Sequence, residues 1–151
     1  MRRRPDKIVE ALNRLIETCK DGQYGYRTAA AAVYNRGLRS LFKRFAAQRA
    51  RFASELQAEV RRRGGHAEHH GTLTAALHRR WMKFKSTVLG QGDAAVIAEC
   101  ERAEDAALKA YEAVQNEGLP PDVQALASRQ HGEIRAAHDR VRGLEKEAPA
   151  K

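Results

Sequence analysis

Glu104 stands on the apolar side of the helical stretch Glu99-Cys100-Glu101-Arg102-Ala103-Glu104-Asp105-Ala106-Ala107-Leu108-Lys109-Ala110-Tyr111. An ionised carboxylate in such a place needs a cation, a metal ion or several hydrogen bonds to offset its desolvation. At about 100° per residue, Gln23 and Arg49 also fall within the apolar faces of two further helical stretches, while Glu101 and His138 fall at face edges. Two chemistries follow. Arg49 can donate parallel hydrogen bonds to Glu104 and form a fixed internal salt bridge. Alternatively, Glu101, Glu104 and His138 offer three N/O ligands, enough with water for one divalent ion.

Either outcome requires helices that bring these residues to one level. From Asp6 to Val33 the apolar residues Ile8, Leu12, Leu15, Cys19, Tyr26, Ala29 and Val33 recur at helical spacing, with Asp6 as the expected N-cap. Gly22 and Gly25 inside this run ask for a reason, either close helix approach or a local bulge. A second helix is expected from about Leu38 to Arg63, with Leu41, Phe42, Phe45, Phe52, Leu56 and Val60 inward, ending at Gly64-Gly65. Residues 64 to 92 are too long for a bundle loop and carry a short helix of their own, with Leu73, Leu77, Trp81, Phe84 and Val88 as its apolar stripe. Asp93 caps a third helix with Val96, Ile97, Cys100, Leu108, Tyr111 and Val114 inward. Pro120-Pro121-Asp122 opens a fourth, with Val123, Leu126, Ile134, Val141 and Leu144 inward. If the long crossover makes the third helix parallel to the second, Gln23, Arg49 and Glu104 each lie roughly 18 Å below the same end at 1.5 Å rise per residue. Glu101 and His138 then meet about one turn nearer that end.

The bulk properties agree with a single all-α domain. The chain has 151 residues, 42% hydrophobic and 6% aromatic, with few β-branched residues. Cys19 and Cys100 have neither disulfide-framework nor zinc-knuckle spacing and read as reduced core thiols. The basic start Met1-Arg2-Arg3-Arg4 is followed by no apolar signal core, and no stretch approaches the length of a transmembrane segment, so a cytoplasmic protein is expected. The net charge of +9 divides as +10 over residues 1–63, +3 over 64–92 and −4 over 93–151. Two hairpins of opposite charge that pack together explain this division better than steering of an anionic partner does.

Almost the whole chain, from Ile8 to Leu144, resembles the bacterial four-helix proteins grouped as domain of unknown function 2383, within the ferritin-like superfamily. The resemblance is carried by Leu12-Asn13-Arg14-Leu15-Ile16-Glu17-Thr18-Cys19-Lys20-Asp21-Gly22, Ala76-Leu77-His78-Arg79-Arg80-Trp81-Met82, Glu99-Cys100-Glu101-Arg102-Ala103-Glu104-Asp105 and Ala136-Ala137-His138-Asp139-Arg140-Val141. The superfamily resemblance implies a di-metal carboxylate site, with a Glu from each of two helices and Glu-x-x-His from the other two. In this chain that pattern is damaged. Gln23 stands at the first Glu position, Arg49-Ala50-Arg51-Phe52 at the second-helix Glu-x-x-His, and Arg135 three residues before His138. A metal pair needs about four carboxylates and two imidazoles, so a guanidinium among the two carboxylates Glu101 and Glu104 and the one imidazole of His138 favours the salt bridge.

The remaining signals have ordinary readings. His66, His69, His70 and nearby His78 read as a solvated loop more readily than as a metal site. Arg79, Arg80, Lys83 and Lys85 on the crossover helix form a basic surface able to meet nucleic acid or anionic lipid, though a solvated face is the default. Tyr24, Tyr26, Tyr34 and Tyr111 read as core or rim aromatics, and Glu17 and Asp21 as outward residues. The sequence therefore predicts a ferritin-like four-helix bundle acting as a non-enzymatic binding or structural module, with a stress-response role resting on fold analogy alone. No cofactor is expected on this reading. The first alternative is a metal-binding protein or oxidoreductase holding one Zn, Fe or Mn ion at Glu101, Glu104 and His138. The second is a binder of nucleic acid or an anionic surface, and a homo-oligomer is compatible with all three.

Overall fold

A computed structural model describes residues 4–67, 79, 82, 83, 86 and 92–147. Four long helices account for most of them: α1 (Arg4–Ala32), α2 (Arg36–Arg62), α3 (Asp93–Gln115) and α4 (Pro121–Glu147). Pro5 lies in the first turn of α1, where its missing N–H leaves no hydrogen bond unmade. Asp6 is therefore a first-turn acid rather than the expected cap. α1 continues unbroken through Gly22 and Gly25, so neither glycine marks a bulge.

Three residues connect α1 to α2. Asn35 caps α2, its Oδ1 accepting from the Leu38 N–H at 3.0 Å. α2 begins two residues before the expected Leu38, because this cap lies upstream of Arg36-Gly37. Asp93, expected to cap α3, is instead its first residue. Its carboxylate accepts from the backbone N–H of Tyr34 at 2.8 Å and of Asn35 at 3.0 Å. The start of α3 is thereby tied to the α1–α2 turn, and α3 runs parallel to α2, as the crossover requires. At the other end Arg62 and Arg63 pair with Asp122 at the start of α4, and Arg14 pairs with Glu117 at 2.6 Å. α4 returns antiparallel to α3.

The buried residues fall into two apolar groups. One, around Leu12, Leu15, Phe52, Leu56, Tyr111 and Ile134, lies toward the Asp122 end. The other, around Tyr26, Phe42, Val96, Ile97 and Val141, lies toward the α1–α2 turn. Arg49 sits in sequence between Ala46 of the second group and Phe52 of the first, and Glu104 between Cys100 and Ala107 in the same sense. A polar layer thus crosses the middle of the bundle. Cys19 and Cys100 are both buried free thiols.

In the crossover, Arg79, Met82, Lys83 and Ser86 are helical and exposed. The expected stripe Leu73, Leu77, Trp81, Phe84 and Val88, with Arg80, Lys85, His69, His70 and His78, lies outside the described residues. No helix among the described residues is long and apolar enough to cross a membrane.

Candidate functional site

The centre of the layer is an ion pair. Arg49 and Glu104 are each only 1% exposed, and the Arg49 Nη2 lies between the two carboxylate oxygens, 2.6 Å from Oε1 and 2.7 Å from Oε2. One nitrogen therefore straddles the carboxylate, in place of the expected fork of two parallel bonds. The third partner is the Tyr26 hydroxyl, which donates to Glu104 Oε1 at 2.6 Å. The Arg49 guanidinium also lies 5.4 Å from the centre of the Tyr26 ring, within cation–π range. Gly22 makes room for this arrangement. A Cβ at that position would meet Arg49 Nη1 at 3.1 Å and Cγ at 3.3 Å.

The electrostatics keep each group in its hydrogen-bonding form. Burial acts to lower the Arg49 pKa, but Glu104 outweighs it and holds the guanidinium charged. Burial, with Glu104 beside it, raises the Tyr26 hydroxyl well above its usual range, so it remains a donor. Burial followed by Glu104 also raises the Cys100 thiol.

Gln23, expected in this layer, is only half-buried. It lines a groove of about 880 Å³ on the α1–α2 side, together with Arg27, Arg39, Lys43 and a floor of alanines. Tyr26 takes its place because three residues turn the helix by about 300°, and a tyrosine hydroxyl reaches further than a carboxamide. Glu17 and Asp21, expected outward, are half-buried as well.

A second polar chain, not foreseen as a unit, leads from the interior toward the surface. Tyr111 donates to Gln130 Oε1 at 2.6 Å, which leaves the Cys19 thiol to donate to the Tyr111 oxygen at 3.1 Å. Gln130 is fully buried and its amide donates to Glu55 Oε1 at 3.0 Å, while Arg129 binds Glu55 Oε2 at 2.7 Å. Burial pushes Cys19 up to about 11 and Tyr111 well above its usual range. Partial burial acts to raise the Glu55 pKa, but hydrogen bonds from Arg129 and Gln130 lower it overall. The signal for the buried glutamine in the sequence is helical phase, since Gln130 stands seven residues after Val123 and four before Ile134.

A third cluster lies at the α3–α4 edge. Glu101, Asp105 and His138 each offer a ligand atom within 4.8 Å of the others. Two of the three expected metal ligands, Glu101 and His138, are thus brought together, but the second carboxylate is Asp105, since Glu104 turns inward to Arg49. His138 is 7% exposed, and its Nδ1 lies 3.2 Å from Asp139 Oδ1. Arg135 points away, 3.5 Å from Glu112 Oε1. Of the basic crossover set, Arg79 and Lys83 are exposed.

The interior donor set does not fit a di-metal pair. It contains one carboxylate, one phenol and a guanidinium fixed on the carboxylate, where such a pair is neutralised by about four carboxylates and two imidazoles.

Two solved structures share the fold. A two-domain protein containing DJ-1/ThiJ/PfpI-like and ferritin-like domains from Anabaena variabilis superposes with a TM-score of 0.79 at 15% identity, over 99% of this chain and 42% of that one. The chain therefore spans about two fifths of that protein. The conserved hypothetical protein Rv2844 from Mycobacterium tuberculosis superposes with a TM-score of 0.74 at 17% identity, over 95% of this chain and 99% of that one. These likenesses establish a ferritin-like bundle. No curated protein matches the chain. Residues 7–117, which include Tyr26, Arg49 and Glu104, match the domain of unknown function (DUF2383), and the chain belongs to that family.

Proposed function

We propose that the chain is a non-catalytic binding or structural module, a ferritin-like bundle whose interior charge is neutralised by its own arginine. The observation that carries this reading is the buried Arg49 on Glu104, with Tyr26 as second donor. A cation fixed there repels a metal ion and occupies the carboxylate that would bind it. The test is aerobic iron oxidation by tag-free protein supplied with Fe(II). No oxidation above the buffer rate is expected. Oxidation that saturates at two irons per chain and disappears in Glu104→Ala would overturn the reading.

The basic lining of the α1–α2 groove supports one further reading, an anionic partner such as nucleic acid. Arg27, Arg39 and Lys43 surround the α1–α2 groove, and the hairpin that forms it carries most of the positive charge. DNA retardation at about 150 mM salt that weakens when these three residues become Ala supports it, and retardation indifferent to them removes it.

A further inference from the structure

The cluster at the α3–α4 edge has features that the interior layer lacks. Glu101 and Asp105 are one helical turn apart on α3, so their like charges face the same side, an unfavourable pairing unless a cation lies between them. His138 approaches from α4, and its Nε2 is buried and makes no hydrogen bond. The Asp105 Oδ1 is 2.7 Å from that nitrogen, an ion-pair distance, but it does not satisfy the direction in which the ring would donate. On the other side of the ring, Asp139 Oδ1 is placed to accept from Nδ1–H. That contact places a proton on Nδ1, and in the neutral ring it leaves the Nε2 lone pair facing the Asp105 oxygen, a repulsive approach that a proton or a metal ion between them relieves. A carboxylate holding the far nitrogen of an imidazole is also the usual support of a metal-binding histidine.

We infer that Glu101, Asp105 and His138 form a mononuclear site for a divalent transition ion, open to solvent and separate from the Arg49–Glu104 layer. The donors are one imidazole nitrogen and one oxygen from each carboxylate, a set suited to Zn(II), Mn(II) or Fe(II), with water completing the coordination. Ligand atoms around such an ion lie about 3.3–3.5 Å apart, given bonds of about 2.0–2.2 Å. The present spread of up to 4.8 Å closes by side-chain rotation alone, because Asp105 is exposed and Glu101 only half-buried. Burial of His138 fixes the remaining ligand, so the site is formed around one rigid donor and two adjustable ones.

The test is equilibrium dialysis of the chelator-stripped, tag-free chain against Zn(II), Mn(II) or Co(II), with the visible absorption of Co(II) as a second readout. One ion per chain is expected, both in the wild type and in a variant with His66, His69, His70 and His78 all changed to Ala. Asp105→Asn, at an exposed position that leaves the fold intact, should weaken binding at least about tenfold, and Asp139→Asn, acting through the imidazole, by about 10-fold or more. His138→Ala should remove the Co(II) spectrum while circular dichroism reports an unchanged helix content. No stoichiometric binding, binding indifferent to Asp105→Asn and His138→Ala, or binding lost with the four substituted histidines would each overturn the site. Two ions per chain, both lost in Glu104→Ala, would overturn this site and the reading of the interior together.

Discussion

Two carboxylate sites share one turn of α3 on different faces, and they are neutralised in different ways. Glu104 faces inward, where Arg49 and Tyr26 occupy its oxygens and neither charge reaches water. Asp105, the next residue, has a half-exposed side chain and shares its neighbourhood with Glu101, Asp139 and one imidazole. A single step of about 100° around the helix separates a permanent internal cation from a place where an exchangeable one fits. Burial makes the difference. Inside, an unpaired charge is too costly to leave, so the partner is built into the chain, whereas at the edge solvent tolerates a surplus of negative charge.

The largest expected effect comes from breaking the inner pair on one side only. Arg49→Met leaves Glu104 buried with Tyr26 as its single donor, and the expected loss is about 3–5 kcal/mol in urea unfolding. Replacing both partners, as Arg49→Met with Glu104→Leu, should recover most of that loss, because two apolar side chains of similar size need no compensation. A single variant as stable as the wild type would mean that the pair is hydrated, and the contrast with the edge would disappear. Asp105→Asn, by comparison, should change stability by less than about 1 kcal/mol, as expected for an exposed charge.

The contrast also indicates what the sequence made legible. Arg49 and Glu104 were found because a guanidinium and a carboxylate on apolar faces at equal depth have few other ways of being buried. The four helices followed from the same periodicity, and the parallel course of α3 from the length of the crossover. Reach and side-chain direction were not legible. Gln23 has the better helical phase for the layer, yet Tyr26 fills it with a longer side chain that supplies both a ring and a hydroxyl. Asp105 is not marked by phase, because phase alone does not say that His138, at the edge of α4, faces α3 rather than the bundle axis. Asp93 reads as a helix cap from its neighbours, and only tertiary structure shows that its carboxylate serves the Tyr34 and Asn35 amides of another turn.

Alkaline pH tests the interior from a different direction. The Cys19 thiol, normally near 9.0, is pushed up to about 11 by burial. The unfolded chain therefore releases this proton at a lower pH than the folded one. The associated stability is complete below about pH 9 and is lost between about 9 and 11, amounting at most to about 3 kcal/mol for a two-unit shift. Urea midpoints measured from pH 8 to pH 11 should fall, and they should fall less steeply in Cys19→Ala. Equal slopes in the two proteins would place the alkaline loss elsewhere, with Tyr26, Tyr111 and Cys100 as the remaining buried acids whose folded-state pKa is raised.

The smallest effect separates two glycines of the same helix. Gly→Ala inside a helix gains about 0.8–1.0 kcal/mol in propensity where the added methyl finds space. At Gly25 nothing lies within 4 Å of the new Cβ, so Gly25→Ala should stabilise by up to that amount. At Gly22 the methyl meets Arg49 at 3.1 and 3.3 Å, and that side chain cannot retreat without loosening its hold on Glu104. Gly22→Ala should therefore destabilise by about 1 kcal/mol, the usual scale of a modest overpacking. In an Arg49→Met background the closer obstruction, the guanidinium, is gone while the Cγ contact stays, and the same change should cost less than in the wild type. If Gly22→Ala stabilises the wild-type chain as much as Gly25→Ala does, Arg49 is free to move, and the inner charge is no more fixed than the outer one.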